Sequence, residues 1–262
     1  GSDIFFAMRK SLLGKVAGWT MAQTFGITAC SAELAAHAQQ LGVRAEKVHL
    51  LPWGADPARF TLQHAAARTA LGLDQDALII LSLGRLVKKK GLFVLVQALS
   101  AVFARVKNAQ CVIAGAGPEL DLLRRAAVSL GIDDRIHFPG ATAWEQTPAL
   151  YAACDLFVAP SIHDENGNVD GLPTTVLEAM AAGRPVVASH VAGMELVVRT
   201  WENGILTPEG DVLALGDALT LLLVQPELRK QMGHAARRAV EERYNWGAVA
   251  AQFEHIYRQA QG

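Results

Sequence analysis

Two carboxylates with seven residues between them, Asp170 and Glu178, bracket the stretch GLPTTVL. A buried helix needs neither acid. Pro173 suits a first helical position, so the backbone amides over Gly171, Leu172, Pro173, Thr174 and Thr175 are expected to open toward one edge. A helix N-terminus preceded by glycine is a ready anion site, phosphate above all. Glu178 lies about 7 Å further along the helix axis. Acids directly over a diphosphate would repel it, so their expected partners are hydroxyl pairs on either side, which carboxylates accept well. A second loaded stretch, GRLVKKKG, offers Gly84 for close backbone approach, with Arg85 and Lys90 flanking the turn. Arginine brings a planar fork to phosphate oxygens and lysine a point charge. Together these residues describe a site for a diphosphate with a sugar at each end, a nucleotide sugar. The plainer alternative is that the acids only favour a helix dipole and that the lysine run is a solvated face.

Such groups meet only if the chain places both loops at one edge. From about Ala77, short apolar runs alternate with helical patterns. Strands are expected at 77–84, 110–115, 136–140, 155–161, 185–189 and 204–208, with helices at 91–106, 118–131, 144–154, from 173, at 211–224 and at 226–242. This alternation predicts an α/β fold, a Rossmann-like doubly wound parallel sheet covered on both faces. In such sheets ligands bind beyond the carboxyl ends of the strands, where both loops fall.

The first fifty residues do not fit that repeat. They give a helix with Arg9, Lys10 and Lys15 on its polar side, a short strand at 26–31, and a helix capped by Ser31 with Glu33 in its first turn. VHLLPWGADPARF reads as a strand running into a linker, and 244–259 as a closing amphipathic helix. The expected division is a remnant of a preceding domain over 1–50, a nucleotide-sugar-binding domain over 51–243 and a C-terminal helix over 244–262.

Composition excludes several classes. Half of the 262 residues are hydrophobic, and 24 basic residues against 25 acidic ones give no bulk signal for nucleic acid. No apolar run approaches the ~20 residues of a membrane span. Cys30, Cys111 and Cys154 sit in apolar contexts and read as reduced, inert thiols that suit a cytoplasmic protein. The eight histidines show no metal-ligand spacing, and no metal or other cofactor is expected. DENGNVD resembles the start of a calcium loop, but its glycine is misplaced and Thr175 stands where the bidentate acid belongs. GAGPE, with Gly115 and Gly117, lacks the third glycine of a dinucleotide fingerprint and follows the second strand of the unit, yet suits a tight turn near a base or ribose.

In their order, these pieces resemble the C-terminal, donor-binding domain of family 4 glycosyltransferases of the GT-B fold, from about Ile27 to Tyr257. GRLVKKKG, VIAGAGPELDLLRRAAVSLGIDDRIHFPG, DLFVAPS, DGLPTTVLEAMAAGRPVVAS and YNWGAVAAQFEHIY carry the resemblance. It implies a retaining, metal-independent transfer of sugar from a UDP- or GDP-sugar. Arg85 and Lys90 would neutralise the diphosphate, Glu178 would bind the ribose, and Asp170 the transferred sugar. The 171–175 amides would lie near the distal phosphate, and Gly115, Gly117 and the segment of His137 and Phe138 would border the base. Asp170 departs from the family's usual glutamate, which changes the reach to the sugar. The implied partners are the donor and a sugar or lipid-linked acceptor, in polysaccharide or glycolipid assembly. The isolated chain is expected to bind donor but transfer weakly. Peripheral contact with the inner membrane face through residues 9–15 and self-association through exposed apolar helices are further expectations. A catalytically silent, glycosyltransferase-like binding subunit and a GT-B-fold sugar-nucleotide epimerase are the alternatives.

Overall fold

A computed structural model describes residues 11–60 and 64–259. Arg9 and Lys10 lie outside them; Lys15 is exposed on the first helix, α1 (Ser11–Gln23).

The larger part is a six-stranded sheet built from β3 (Leu78–Leu83), β4 (Ala109–Ala114), β5 (Ile136–Gly140), β6 (Leu156–Ala159), β7 (Val186–Ser189) and β8 (Gly204–Thr207). Its spatial order is β5-β4-β3-β6-β7-β8, and every pairing is parallel. This is the doubly wound order, with its topological switch between β3 and β6. The near-continuous apolar strands follow from burial on both faces. Ile79 and Leu81 point into one core with Phe157, Val186 and Ala188, while Ile80 points into the other with Ile113, Leu156 and Val187.

The first core is closed by helices Thr147–Ala153, Thr174–Ala181 and Pro226–Ala239, and the second by Leu92–Arg105, Leu120–Ser129 and Val212–Val224. Leu95, Leu99, Leu219 and Leu222 are wholly buried. Each such side chain contributes roughly 1.5–3 kcal/mol of transfer free energy.

Counting from α1, the helices are α2 (Ala32–Gln40), α3 (His64–Ala70), α4 (Leu92–Arg105), α5 (Leu120–Ser129), α6 (Thr147–Ala153), α7 (Thr174–Ala181), α8 (Met194–Val197), α9 (Val212–Val224), α10 (Pro226–Ala239) and α11 (Trp246–Gln259). Helices α3 and α8 fall where the periodicity assigns no element. The helix expected to reach residue 242 ends at Ala239, and a π turn over Val240–Tyr244 redirects the chain. Buried Arg68 of α3 ties three segments together. It donates to the carbonyls of Ala153, Gln75 and Ala77 and pairs with Asp155 at 2.7 Å. Asp155 in turn accepts from the Ile79 amide at the entrance of β3.

Before this sheet, β1 (Ile27–Ala29) and β2 (Val48–Leu50) form a two-stranded parallel sheet flanked by α2. Ser31 caps α2 as expected, accepting from the Leu34 amide. Ala29, Leu34 and Ala35 pack on Val169 and Ala192 from the main sheet's loops. The linker is held by an Ala55 amide donating to the Tyr244 carbonyl and by Arg237 donating to the Phe60 carbonyl. Leu12, Val16 and Trp19 of α1 and Trp246 and Tyr257 of α11 are exposed. Among the described residues no helix is long and apolar enough to cross a membrane. Cys111 and Cys154 are buried thiols, and Cys30 is half-buried.

Candidate functional site

The direction in which successive strands are added reverses at the switch point, so the loops leaving β3 and β6 diverge and a crevice opens between them. Ser82–Arg85, Lys90, Pro160, Ser161, Pro173 and Thr175 line it. After β3 the chain turns at Gly84, and Arg85 stands exposed, its side chain with no hydrogen bond or ion pair to a described residue. Leu86 is buried and anchors the loop. A 3₁₀ turn over Lys88–Lys90 ends at Gly91, whose φ of 64° stops it and starts α4. A Cβ on Gly91 would stand 1.7 Å from the Pro160 carbonyl oxygen, so only glycine lets the two loops meet. Lys90 reaches back over Gly84, its Nζ 3.7 Å from where a Cβ would be.

The loop after β6 brings the acids. Asp164 closes its turn by accepting from the amides of Asn166 and Asn168. Glu165 pairs with Lys88 on the surface, 2.8 Å apart. His163 sits between Glu209, at 2.9 Å, and Glu33 of α2, at 3.2 Å. Burial pulls the His163 imidazole down, but Glu209 and Glu33 together hold it above its ordinary range. Asp170 lies largely buried between two ammonium groups, 2.9 Å from Lys89 Nζ and 2.7 Å from Lys90 Nζ. Burial raises its carboxyl, and Lys90 with Lys89 outweighs this, so the group stays below the usual aspartate range. The Lys90 contact falls outside hydrogen-bond geometry, and no other described donor reaches Oδ2.

Pro173 is the N-cap of α7 in extended conformation, and Thr174 is the first helical residue; the expectation of proline inside the helix is corrected by one position. Proline has no N–H, so the amides at the helix start are those of Gly171, Leu172, Thr174 and Thr175, none of which donates to a described partner. Gly171 lies against Cys30 and Leu34 of the N-terminal layer. One turn into α7, Glu178 accepts from the Tyr151 hydroxyl at 2.8 Å. Burial, then the Glu178 charge, pushes that phenol well above its ordinary range.

Gly115 and Gly117 brace the first loop. A Cβ on Gly115 (φ 144°) would lie 1.8 Å from the Gly84 carbonyl oxygen, and one on Gly117 would lie 2.3 Å from that of Leu86. The loops are also stitched by Gly84 N to Ala114 O at 3.0 Å, Leu86 N to Ala116 O at 2.9 Å and Gly115 N to Gly140 O at 2.8 Å. His137 and Phe138 are not brought to the crevice. They line a separate hollow at the outer sheet edge, where His137 meets the Gln110 side chain at 3.2 Å and Arg124 stacks over Phe138.

The structure therefore gathers Gly84, Arg85, Lys90, Asp170 and the start of α7 at one sheet edge, with Glu178 one turn deeper. The Arg85 side chain, the helix amides and Lys90 can hold a dianion, with the Asp170 carboxylate against Lys90 and the Glu178 carboxylate one turn along α7. Lys89 and Tyr151 are the site residues that sequence reasoning overlooked. Among the described residues no group of three or more His, Cys, Asp or Glu side chains could hold a metal ion.

The family described as glycosyl transferases group 1 matches residues 64–239. The chain is 34% identical over 220 residues to a GDP-mannose-dependent alpha-(1-6)-phosphatidylinositol monomannoside mannosyltransferase of Mycobacterium tuberculosis, covering 82% of this chain and 56% of that protein. It is 32% identical over 219 residues to an alpha-D-kanosaminyltransferase of Streptomyces kanamyceticus, covering 82% and 55%. Among solved structures, sucrose-phosphate synthase from Thermosynechococcus elongatus superposes with a TM-score of 0.79 at 28% identity, over 97% of this chain and 62% of that one. Anabaena HepE in complex with UDP-glucose gives a TM-score of 0.82 at 23% identity, over 99% and 70%, a likeness of fold. The chain spans about half the length of the curated relatives it matches.

Proposed function

Because the chain belongs to the glycosyl transferases of group 1, we propose that its crevice binds a UDP- or GDP-sugar whose sugar is transferred to an acceptor with retention. The observation that carries this is the convergence of Arg85, Lys90 and the free amides of Thr174 and Thr175 on one sheet edge, with Asp170 against Lys90 and Glu178 one turn into α7. In this reading Arg85, Lys90 and the α7 amides hold the diphosphate and stabilise it as it leaves. Preorganised donors of this kind act where charge develops, and no reorganisation is needed at that moment. Glu178, steadied by Tyr151, takes the ribose hydroxyls, and Asp170 takes those of the transferred sugar. Gly115 and Gly117 set the backbone on the nucleoside side.

The relatives' names support a nucleotide-sugar donor and an acceptor in glycolipid or polysaccharide assembly. Residues 51–243 act as the donor-binding domain, residues 1–50 side with the acceptor domain, and 244–262 close the fold. Since the matched relatives are about twice as long, the chain alone binds donor and transfers weakly. Peripheral contact with an anionic cytoplasmic membrane face through the helix of Lys15, and self-association through Leu12, Val16 and Trp19, complete the proposal.

Thermal shift and calorimetry with UDP, GDP, ADP and their sugar conjugates, without metal, test it. At a hundred times its dissociation constant a ligand adds about 2.7 kcal/mol of stability. One nucleotide is expected to stand out and to lose its effect in Glu178→Ala. Absence of any shift across the panel overturns the assignment.

A further inference from the structure

Lys89 and Lys90 converge on the two oxygens of one carboxylate, at 2.9 Å from Asp170 Oδ1 and 2.7 Å from Asp170 Oδ2. These three side chains are only 13–18% exposed, whereas Lys88 turns outward to Glu165. The crevice thus sets a carboxylate against Lys90, the cation that the proposed function gives to the diphosphate. Two anions compete for one ammonium group in a poorly solvated place, where stripping a carboxylate of its last partner is costly. A carboxylate shared by two ammonium groups escapes that cost, because it can release one and keep the other. The backbone suits this division: the Lys89 carbonyl is tied to the Ile162 amide at 2.9 Å, while the Lys90 side chain lies over Gly84, which has no side chain of its own to confine it.

We infer that Lys89 is a positioning residue that retains Asp170 when Lys90 turns to the donor's diphosphate. Lys89 need not touch the diphosphate itself. Without it, Asp170 falls to Lys90 alone, and the donor must break that pair and strand a buried carboxylate. Asp170 is then both a ligand for the sugar and an internal competitor of the diphosphate. The inference rests on the reading of the crevice as a nucleotide-sugar site.

Calorimetric titration of UDP and GDP, and of their sugar conjugates, into wild type, Lys89→Met, Asp170→Asn and the double variant tests it, with thermal melting as the control for folding. Lys89→Met is expected to weaken nucleoside diphosphate binding about tenfold, and Lys89→Arg to restore it. Asp170→Asn is expected to tighten the plain nucleoside diphosphate severalfold while removing the extra affinity of the sugar conjugate. The deciding result is the double variant: the Lys89→Met penalty vanishes once Asp170 is asparagine. An equal penalty in both backgrounds means that Lys89 acts on the diphosphate directly and overturns the inference. So does unchanged binding in Lys89→Met, the mark of a mere loop tether. Should Lys89→Met fail to fold, unchanged diphosphate affinity in Asp170→Asn overturns it instead. Binding by wild type separates these failures from failure of the proposed function, in which wild type binds no nucleotide and both ideas fall together.

Discussion

Tyr151 holds Glu178 from a different helix: its wholly buried hydroxyl donates to Glu178 Oε2 at 2.8 Å, with the Thr175 carbonyl also near at 3.2 Å. The ring is fixed edge-on to Phe60 and tilted against Phe157, with centroids 5.5 and 5.7 Å away. Tyr151→Phe keeps those contacts and removes only the donor. A hydrogen bond to a charged group contributes about 1.5–3 kcal/mol. Nucleotide affinity is expected to fall roughly tenfold, corresponding to about 1.4 kcal/mol. Calorimetry giving the wild-type constant would show that Glu178 needs no such support.

Arg85 and Lys90 of the β3 loop line the crevice. Loss of one well-placed stabiliser of developing charge costs ~3 kcal/mol, about a hundredfold in rate. Arg85→Ala and Lys90→Ala are each expected to lower sugar transfer by that factor when assayed in the complete enzyme. Wild-type turnover in both variants removes the diphosphate role from this loop.

Gly115 cannot gain a side chain without moving the Gly84 carbonyl. Strained backbone of this kind costs about 1–3 kcal/mol, and at this size each kcal/mol lowers the melting temperature by about 2–4 °C. Gly115→Ala is expected to melt several degrees lower and to bind nucleotide more weakly, because the displaced loop carries Arg85. A variant that melts and binds like wild type would show that the two loops are not rigidly braced.

His163 makes the attachment of the N-terminal layer sensitive to pH. Its folded pKa is raised, so the Glu33–His163–Glu209 contact contributes fully below the unfolded value of about 6.5 and is lost as pH rises through the folded value. The melting difference between wild type and His163→Gln is expected to be flat at acid pH and to shrink from about pH 6.5 upward. Glu33→Gln should flatten part of that dependence. A difference that grows with pH would contradict the assignment.

The sheet was legible because strands buried on both faces read as unbroken apolar runs, and the six expected strands are the six observed. Helix α3 was not, since HAAARTA has almost no polar–apolar period; its small residues instead let Ala67 close on Ala152 and Ala153 of α6. Arg85, Lys90, Asp170 and Glu178 stood out because charge at a strand's carboxyl end is conspicuous. Lys89 did not, because three consecutive lysines look alike on paper. In the 3₁₀ turn Lys88 pairs with Glu165, while Lys89 and Lys90 both reach Asp170. Tyr151 looked like ordinary core, since nothing in YAAC reveals that the phenol meets an acid 27 residues later. His137 and Phe138 lie away from the crevice because β5 is the edge strand, two places from β3.

The switch-point order has a consequence for how the crevice comes into being. Its two walls, the 84–91 turn and the 160–178 segment, are brought within reach of each other by the β3–β6 pairing, whose partners are more than seventy residues apart in the chain. Neither wall can be assembled locally by a short peptide. The site exists when the central sheet is formed and dissolves when it melts, so ligand capture reports the cooperative folding of the whole layer.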